Sequence, residues 1–110
     1  MDIIREKITL EEALKIANTY ACKIREEVDS NAKVYLFGSV ARGENTKESD
    51  IDIAVISKIF DKDVVKDYAI VNRVGFSINS NIDARAIMYD DWIYTDPLTE
   101  KIQREGIMIQ

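Results

Sequence analysis

Two different spacings of apolar residues alternate along this chain, and the alternation limits the folds that it can adopt. Between residues 10 and 28, apolar residues recur every three or four positions, as on one face of a helix. Thr9 stands before this stretch as a capping residue, with Glu12 three positions later. Lys33–Phe37 then forms a short, nearly continuous apolar run that stops at Gly38, which is typical of a buried strand. A long helix packed beside short strands is therefore expected.

The rest of the chain continues this alternation. A polar segment over residues 39–49 predicts a turn or loop, or a loop that begins with one helical turn at residues 39–42. The other predicted elements are strands over Ile51–Ile56, Ile82–Met88 and Ile107–Ile109, a turn at residues 79–81, and a helix that starts at Asp96-Pro97, runs to about Glu105 and is closed by Gly106. Helices interleaved with short strands predict an α/β or α+β fold, with a small mixed sheet flanked by helices. At 110 residues, the chain 1–110 has the length of a single domain.

A second amphipathic helix is predicted between the second and third strands. Asp61 is its expected N-terminal cap. Its expected apolar face consists of Val64, Tyr68, Val71, Gly75 and Ile78. Gly75 suits either the interior of the helix, where it allows close packing, or a C-terminal cap, and the pattern leaves both open.

The composition excludes several kinds of catalytic site. The chain has no histidine and one cysteine, Cys22, so Ser-His-Asp and Cys-His sites, histidine-rich zinc sites and paired-cysteine sites are ruled out. Cys22 lies inside the first helical pattern, and we expect it to have a packing role. With 20 acidic residues against 15 basic ones, the net charge is −5, and we expect no nucleic-acid partner. Carboxylates are therefore the main groups available for chemistry.

The sequence also suggests where the chain works. No stretch approaches the 18 apolar residues of a membrane span, and residues 1–10 lack the apolar centre of a signal peptide. One cysteine excludes an intrachain disulfide. We therefore expect a cytoplasmic protein without a membrane partner.

Two carboxylates stand side by side at the second predicted strand. Residues two apart on a strand point to the same face, so Asp50 and Asp52 project together while Ile51 and Ile53 point into the core. Neighbouring carboxylates repel unless a cation lies between them, and Mg²⁺ typically uses one or two carboxylates together with substrate phosphates. The alternative is that both side chains merely face solvent on a half-exposed strand.

The end of the first strand suggests a partner for such a metal. Where a strand stops at Gly38 and passes into a short helix starting with Ser39, backbone N–H groups and the hydroxyl form a small anion site. Glycine lets a phosphate approach the backbone closely. Taken alone, the pair is an ordinary turn. Together with Asp50 and Asp52, it predicts a site for a nucleoside triphosphate.

A third carboxylate would complete a two-metal site, and Asp83 is the best candidate. It lies one residue into the third strand, on the same face as Arg85 and Ile87, while Ile82, Ala84, Ala86 and Met88 form the core side. The alternative is a surface aspartate paired with Arg85. Asp90 and Asp91 are weaker candidates because they lie past the strand, where capping or turn roles are expected.

These residues together resemble the signature of the minimal nucleotidyltransferases, small members of the DNA polymerase β-like superfamily. The resemblance is carried by two segments, Phe37–Glu44 and Ser49–Val55. The first contains Gly-Ser followed by Ala-Arg-Gly, the second contains Asp-Ile-Asp, and about ten residues separate Gly-Ser from Asp-Ile-Asp. It implies a polymerase β-like palm in which Gly38 and Ser39 hold the triphosphate. Arg42, which follows the phosphate turn, is either a phosphate contact or an arginine on the surface or in helix packing.

The resemblance also implies the metal site and the reaction. Asp50 and Asp52 would carry two Mg²⁺ ions, with Asp83 as the third acid, and ATP would be the substrate. Arg85, close to Asp83, departs from this pattern because a cation competes with a metal. Family members of this size are similar to the antitoxin half of a toxin–antitoxin pair, which transfers AMP to a tyrosine on a helical HEPN toxin.

The sequence leaves three functions open. The first is Mg²⁺-dependent transfer of AMP from ATP to a protein hydroxyl, with the chain acting as an antitoxin. The second is a non-catalytic antitoxin that neutralises its toxin by binding alone. The third is transfer to a small-molecule hydroxyl, against which the lack of a separate acceptor domain argues. Because the chain holds only the palm, we expect a toxin partner or a second copy of the chain in a homo-oligomer to complete the cleft.

Overall fold

The computed structural model describes residues 6–61 and 63–110. Of the ten N-terminal residues predicted to lack a signal peptide, residues 1–5 lie outside this range. The described part contains five helices and four strands. In chain order these are α1 (Leu10–Glu27), β1 (Lys33–Phe37), α2 (Gly38–Arg42), β2 (Ile51–Ser57), α3 (Val64–Ile78), β3 (Ile82–Met88), α4 (Tyr89–Tyr94), α5 (Pro97–Glu105) and β4 (Ile107–Ile109).

The four strands form one mixed sheet in the order β3-β2-β1-β4. β1 pairs antiparallel with both β2 and β4, whereas β2 and β3 run parallel. A parallel pair needs a crossover, and α3 supplies it between β2 and β3. The small mixed sheet flanked by helices, predicted from the alternating pattern, is confirmed.

The first face of the sheet packs against α1 and α3. Its buried side chains alternate along the strands and include Val34, Leu36, Ile51, Ile53, Val55, Ile82 and Ala84. α1 covers them with Ala13, Ala17, Tyr20, Ala21 and Ile24. The Tyr20 hydroxyl donates a 2.9 Å hydrogen bond to the carbonyl of Val71 on α3, so the polar atom of this buried side chain is satisfied.

Helix α1 begins as predicted, but its cysteine does not pack. The Thr9 hydroxyl accepts a 3.1 Å hydrogen bond from the Glu12 amide, which confirms the N-terminal cap. Cys22 is exposed, so the prediction of a packing role for it is wrong. It follows the buried Ala21, and one step along a helix turns the side chain by about 100°, out of the apolar stripe.

Helix α3 differs from its prediction at its start. Its cap is Asp63, whose carboxylate accepts from the Lys66 amide, and not Asp61. Val64 and Tyr68 are exposed, so only the second half of the predicted face, from Val71 onwards, is buried. The first turn of α3 therefore extends past the edge of the core.

Gly75 lies inside α3, which decides between its two predicted roles. A Cβ atom at this position would lie 2.9 Å from Cγ2 of Ile82, so a side chain would push the helix away from β3. The glycine therefore allows the close packing of α3 on the strand that carries Asp83.

The second face of the sheet is apolar at one end only. There α4 and α5 cover Ala54, Ile56 and Ile87 with Trp92 and Ile102, and the Trp92 ring lies 4.9 Å from that of Tyr35. Helix α4 was not predicted; its first residues were assigned to caps and turns. In the described part of the chain, no helix is long and apolar enough to span a membrane.

Candidate active site

The register of the sheet brings the predicted site residues together at the uncovered end of the second face. Asp52 lies opposite Phe37, the last residue of β1, and opposite Asp83 on β3. Gly38 and Ser39 follow Phe37 and form the first turn of α2. The Gly-Ser turn, the Asp-Ile-Asp segment and the third acid, which are far apart in sequence, are therefore neighbours across adjacent strands.

Gly38 is in direct contact with the Asp52 carboxylate. Its φ of +76° lies in the left-handed region, which side-chain-bearing residues rarely adopt. A Cβ atom built on Gly38 would overlap Oδ2 of Asp52. Both the backbone conformation and the space therefore require glycine, and they place the backbone of α2 directly beside the carboxylate.

Asp52 lies in an environment that opposes its charge. Burial, together with repulsion from Asp83 and Asp50, raises the pKa of the Asp52 carboxyl to about 6, although Arg85 and Arg42 act in the opposite direction. A carboxylate with two like-charged neighbours is stabilised by a cation placed among them. Asp52 is thus a carboxylate whose charge a bound cation would stabilise.

The two other acids flank Asp52. Asp50 immediately precedes β2 and is exposed, whereas Asp83 on β3 is half-buried. Strand β3 lies at the edge of the sheet, and the buried Asn72 side chain of α3 holds it there. The Asn72 amide donates to the Ala84 carbonyl at 2.9 Å and accepts from the Ala84 N–H at 3.0 Å. These bonds fix the backbone next to Asp83.

The donor set of the site suits a hard divalent ion. Asp50, Asp52 and Asp83 offer only carboxylate oxygens, the ligand type that Mg²⁺ prefers over nitrogen and sulfur. Among residues 6–61 and 63–110, no three acidic side chains already converge as a complete metal cluster. Mg²⁺ commonly takes one or two protein carboxylates and fills its shell with water and phosphate oxygens, so these residues fit such an ion.

Arg42 already has partners within the protein. Its Nε atom lies 3.0 Å from Oε2 of Glu44, and its guanidinium also lies 3.4 Å from Oε2 of Glu105 at the end of α5. The hydrogen bond to Glu44, together with the charge of Glu105, raises the pKa of the Arg42 guanidinium above its usual value. Arg42 therefore connects α2 to α5 at the rim of the site.

A third cation at the site, Lys101, was not predicted from the sequence. A hollow of about 330 Å³ in front of the Gly-Ser turn is lined by residues that include Gly38, Ser39, Arg42, Asp52, Arg85 and Lys101. Within the described part of the chain, neither Lys101 nor Arg85 forms an ion pair. Lys101 lies on α5, about 50 residues after the Asp-Ile-Asp segment, and only the folding of α5 against α2 brings it here. No local sequence signal indicates it.

The comparison with known proteins concerns the segment that carries this site. Residues 21–96 match the sequence model of a family described as "Nucleotidyltransferase domain". Over 80 residues, the chain is 35% identical to a protein of Methanocaldococcus jannaschii named as a candidate protein adenylyltransferase, covering 70% of this chain and 76% of that protein. The matched family segment contains all six residues singled out by the sequence analysis.

Two solved structures resemble the whole chain. The crystal structure of a candidate nucleotidyltransferase from Sulfolobus solfataricus superposes with a TM-score of 0.59 at 25% identity, covering 96% of this chain and 90% of that one. A variant of the toxin–antitoxin complex MntA–HepT superposes with a TM-score of 0.56 at 20% identity, covering 94% of this chain and 73% of that one. The second likeness concerns the fold alone.

Proposed function

The chain belongs to the nucleotidyltransferase-domain family, and from that premise we propose that it transfers AMP from ATP to a hydroxyl group on a protein, in a reaction that requires Mg²⁺. One observation carries the proposal: the Gly38 backbone touches the Asp52 carboxylate, which lies opposite Asp83 on the next strand. A turn suited to phosphate, an acid suited to a metal ion and a third acid are thus neighbours across adjacent strands. That arrangement suits transfer of a nucleotide.

Each residue of the cleft has a role in this proposal. The backbone of Gly38 and Ser39 at the start of α2 receives the triphosphate, and Lys101 and Arg85 balance its charge. Asp50, Asp52 and Asp83 hold Mg²⁺, with two ions as the expected number. When bound, the metal neutralises charge on the phosphates and helps the leaving pyrophosphate depart.

The proposed reaction is an in-line displacement at the α-phosphorus of ATP. The acceptor oxygen forms a new bond to this phosphorus, and the bond from phosphorus to the oxygen bridging the α- and β-phosphates breaks. Pyrophosphate leaves with the electron pair of that bond. The proton of the acceptor hydroxyl passes to the carboxylate of Asp83, because the chain has no histidine to receive it.

We propose a protein as the acceptor, and within that class a tyrosine of a helical HEPN toxin, so that the enzyme acts as an antitoxin. The name of the M. jannaschii relative, a candidate protein adenylyltransferase, supports the class of acceptor. The fold likeness to a toxin–antitoxin complex supports the biological setting. The toxin type and the tyrosine rest on the family resemblance of the Gly-Ser and Asp-Ile-Asp segments.

The experiment uses purified protein, ATP labelled at the α-phosphate, Mg²⁺ and the protein encoded by the adjacent gene. We expect label on the adjacent gene product, on tyrosine, and none when Mg²⁺ is chelated. Asp52→Asn should abolish transfer. Asp90→Asn should leave it unchanged, because this exposed aspartate lies outside the hollow in front of the Gly-Ser turn, which we name the phosphate hollow.

The same experiment separates the remaining alternatives. Suppression of a co-expressed toxin at full strength by the Asp50→Asn, Asp52→Asn double variant would favour neutralisation by binding alone. Label on an amino sugar, with none on any protein, would favour a small-molecule acceptor. Transfer that survives both substitutions would contradict the proposed site.

A further inference from the structure

The cleft continues beyond Asp83 and Arg85 into a second, larger hollow of about 460 Å³. The start of α3, the end of β3, α4 and the start of α5 surround it. Asp83, Arg85 and Leu98 line this hollow, and Arg85 and Leu98 also line the phosphate hollow. A group held in the second hollow therefore lies beside the phosphate hollow, on the Asp83 side.

The two hollows carry opposite charge. The phosphate hollow has three cations, Arg42, Arg85 and Lys101, and one acid, Asp52. Among its described lining residues, the second hollow has four acids and one cation. The acids are Asp61, Asp67, Asp83 and Asp91, and the cation is Arg85. Lys66 is close enough to act on Asp67 but does not line the hollow. A triphosphate is repelled from the second hollow, which instead attracts a cationic group.

The rim of the second hollow is apolar. Val64 and Tyr68 on α3 are 76% and 54% exposed, and Leu98 on α5 is 37% exposed. Val64 and Tyr68 were predicted to lie in the core, but the first two turns of α3 present them beside the hollow instead. Exposed apolar side chains around a polar centre are typical of a surface that another protein covers. A polyhydroxylated amino sugar would match the acids but not this rim.

We propose that the second hollow docks the acceptor segment of the partner protein, and that this segment is basic and amphipathic. Its hydroxyl-bearing residue is flanked by lysine or arginine, which faces Asp61 and Asp91, and by apolar side chains that cover Val64 and Tyr68. The inference rests on the proposed function, because it names the chemistry of the acceptor for the same site.

The test uses three fluorescent peptides that share a central tyrosine. The first carries flanking lysines and leucines, the second has glutamate in place of lysine, and the third has serine in place of leucine. Binding to the full chain is followed by fluorescence anisotropy without ATP. We expect the first peptide to bind at least about tenfold more tightly than the second and several-fold more tightly than the third, with affinity falling as salt rises.

The chain offers matched controls for both parts of the surface. Asp91→Lys changes an acid of the hollow, whereas Asp90→Lys makes the same change on the adjacent exposed residue outside it. Val64→Ser changes the rim, whereas Val65→Ser changes a neighbour that is 80% exposed and outside the hollow. We expect about fivefold weaker binding of the basic peptide for Asp91→Lys and Val64→Ser, and less than about twofold for the two controls.

The outcomes separate this inference from the proposed function. Equal binding of the lysine and glutamate peptides, or equal effects of Asp91→Lys and Asp90→Lys, would overturn the docking surface even if AMP transfer is observed. AMP transfer to neomycin, a cationic amino sugar, that Val64→Ser leaves unchanged would also overturn it. Selective peptide binding without AMP transfer to any acceptor would sustain the surface and contradict the proposed reaction.

Discussion

The two faces of the sheet differ in how completely they are covered. On the first face, side chains from all four strands are buried under α1 and α3, and Ile53 at its centre is fully buried. On the second face, Trp92 and Ile102 cover one end, while Asp52, Asp83 and Arg85 stand at the other. Neighbouring residues of one strand, such as Asp52 and Ile53, therefore serve different purposes. The first face belongs to the buried core, and the open end of the second face carries the residues of the proposed site.

The largest expected effect on stability separates the two faces on one strand. Ile53→Ala removes a fully buried side chain from the first face, and we expect a loss of about 3 kcal/mol in the free energy of unfolding, measured by urea denaturation. The rate of AMP transfer per folded molecule should remain unchanged. A large loss of rate in the folded protein would contradict the division between the faces.

Gly38→Ala should lower activity, because Gly38 lies between the end of β1 and the site. The new Cβ would displace the Asp52 carboxylate, and we expect transfer to fall about 100-fold. Gly43→Ala is the matched control: Gly43 also has a positive φ, +72°, but a Cβ there meets no atom within 4 Å. Both variants should lose about 1 kcal/mol of stability from backbone strain. Equal losses of activity would show that strain, and not contact with Asp52, is the cause.

Asp52 should destabilise the metal-free protein at neutral pH. Burial, reinforced by Asp83 and Asp50, raises its pKa from 3.8 to about 6, so the folded chain binds this proton more tightly than the unfolded chain. Stability should therefore fall as pH rises from about 4 to about 6. Because the side chain is half-exposed, we expect Asp52→Asn to add only about 1 kcal/mol at pH 7, and nothing at pH 4. An unchanged or lower stability of the variant at pH 7 would contradict this account.

The smallest expected effect concerns Lys101. Because Arg42 is paired with Glu44 and Glu105, Lys101 should supply part of the charge that faces ATP. We expect Lys101→Met to raise the KM for ATP about fivefold, with little change in kcat. Lys33→Met, an exposed lysine at the opposite end of β1, is the control. Equal KM values for the two variants would remove Lys101 from the site.

The sheet and the residues around the phosphate turn could be predicted because their signals are local. Gly38 directly after one short strand, and Asp52 and Asp83 on two others, are visible in the sequence, and the register then brings them together. The predictions of a packing role for Cys22 and of a buried start of α3 were wrong, because a periodic apolar pattern does not show where the core ends. Lys101 and the acidic hollow were missed because residues distant in sequence form them only when α3, α4 and α5 meet the sheet.

The central claim is that the cleft at the open end of the second face transfers AMP, with Asp52 as an essential residue. The most direct measurement follows label from α-phosphate-labelled ATP onto the adjacent gene product, for the natural protein and for Asp52→Asn. We expect Mg²⁺-dependent labelling by the natural protein and at least about a 1,000-fold slower rate for the variant, which should remain folded. Labelling at an equal rate by the folded Asp52→Asn variant would contradict the claim.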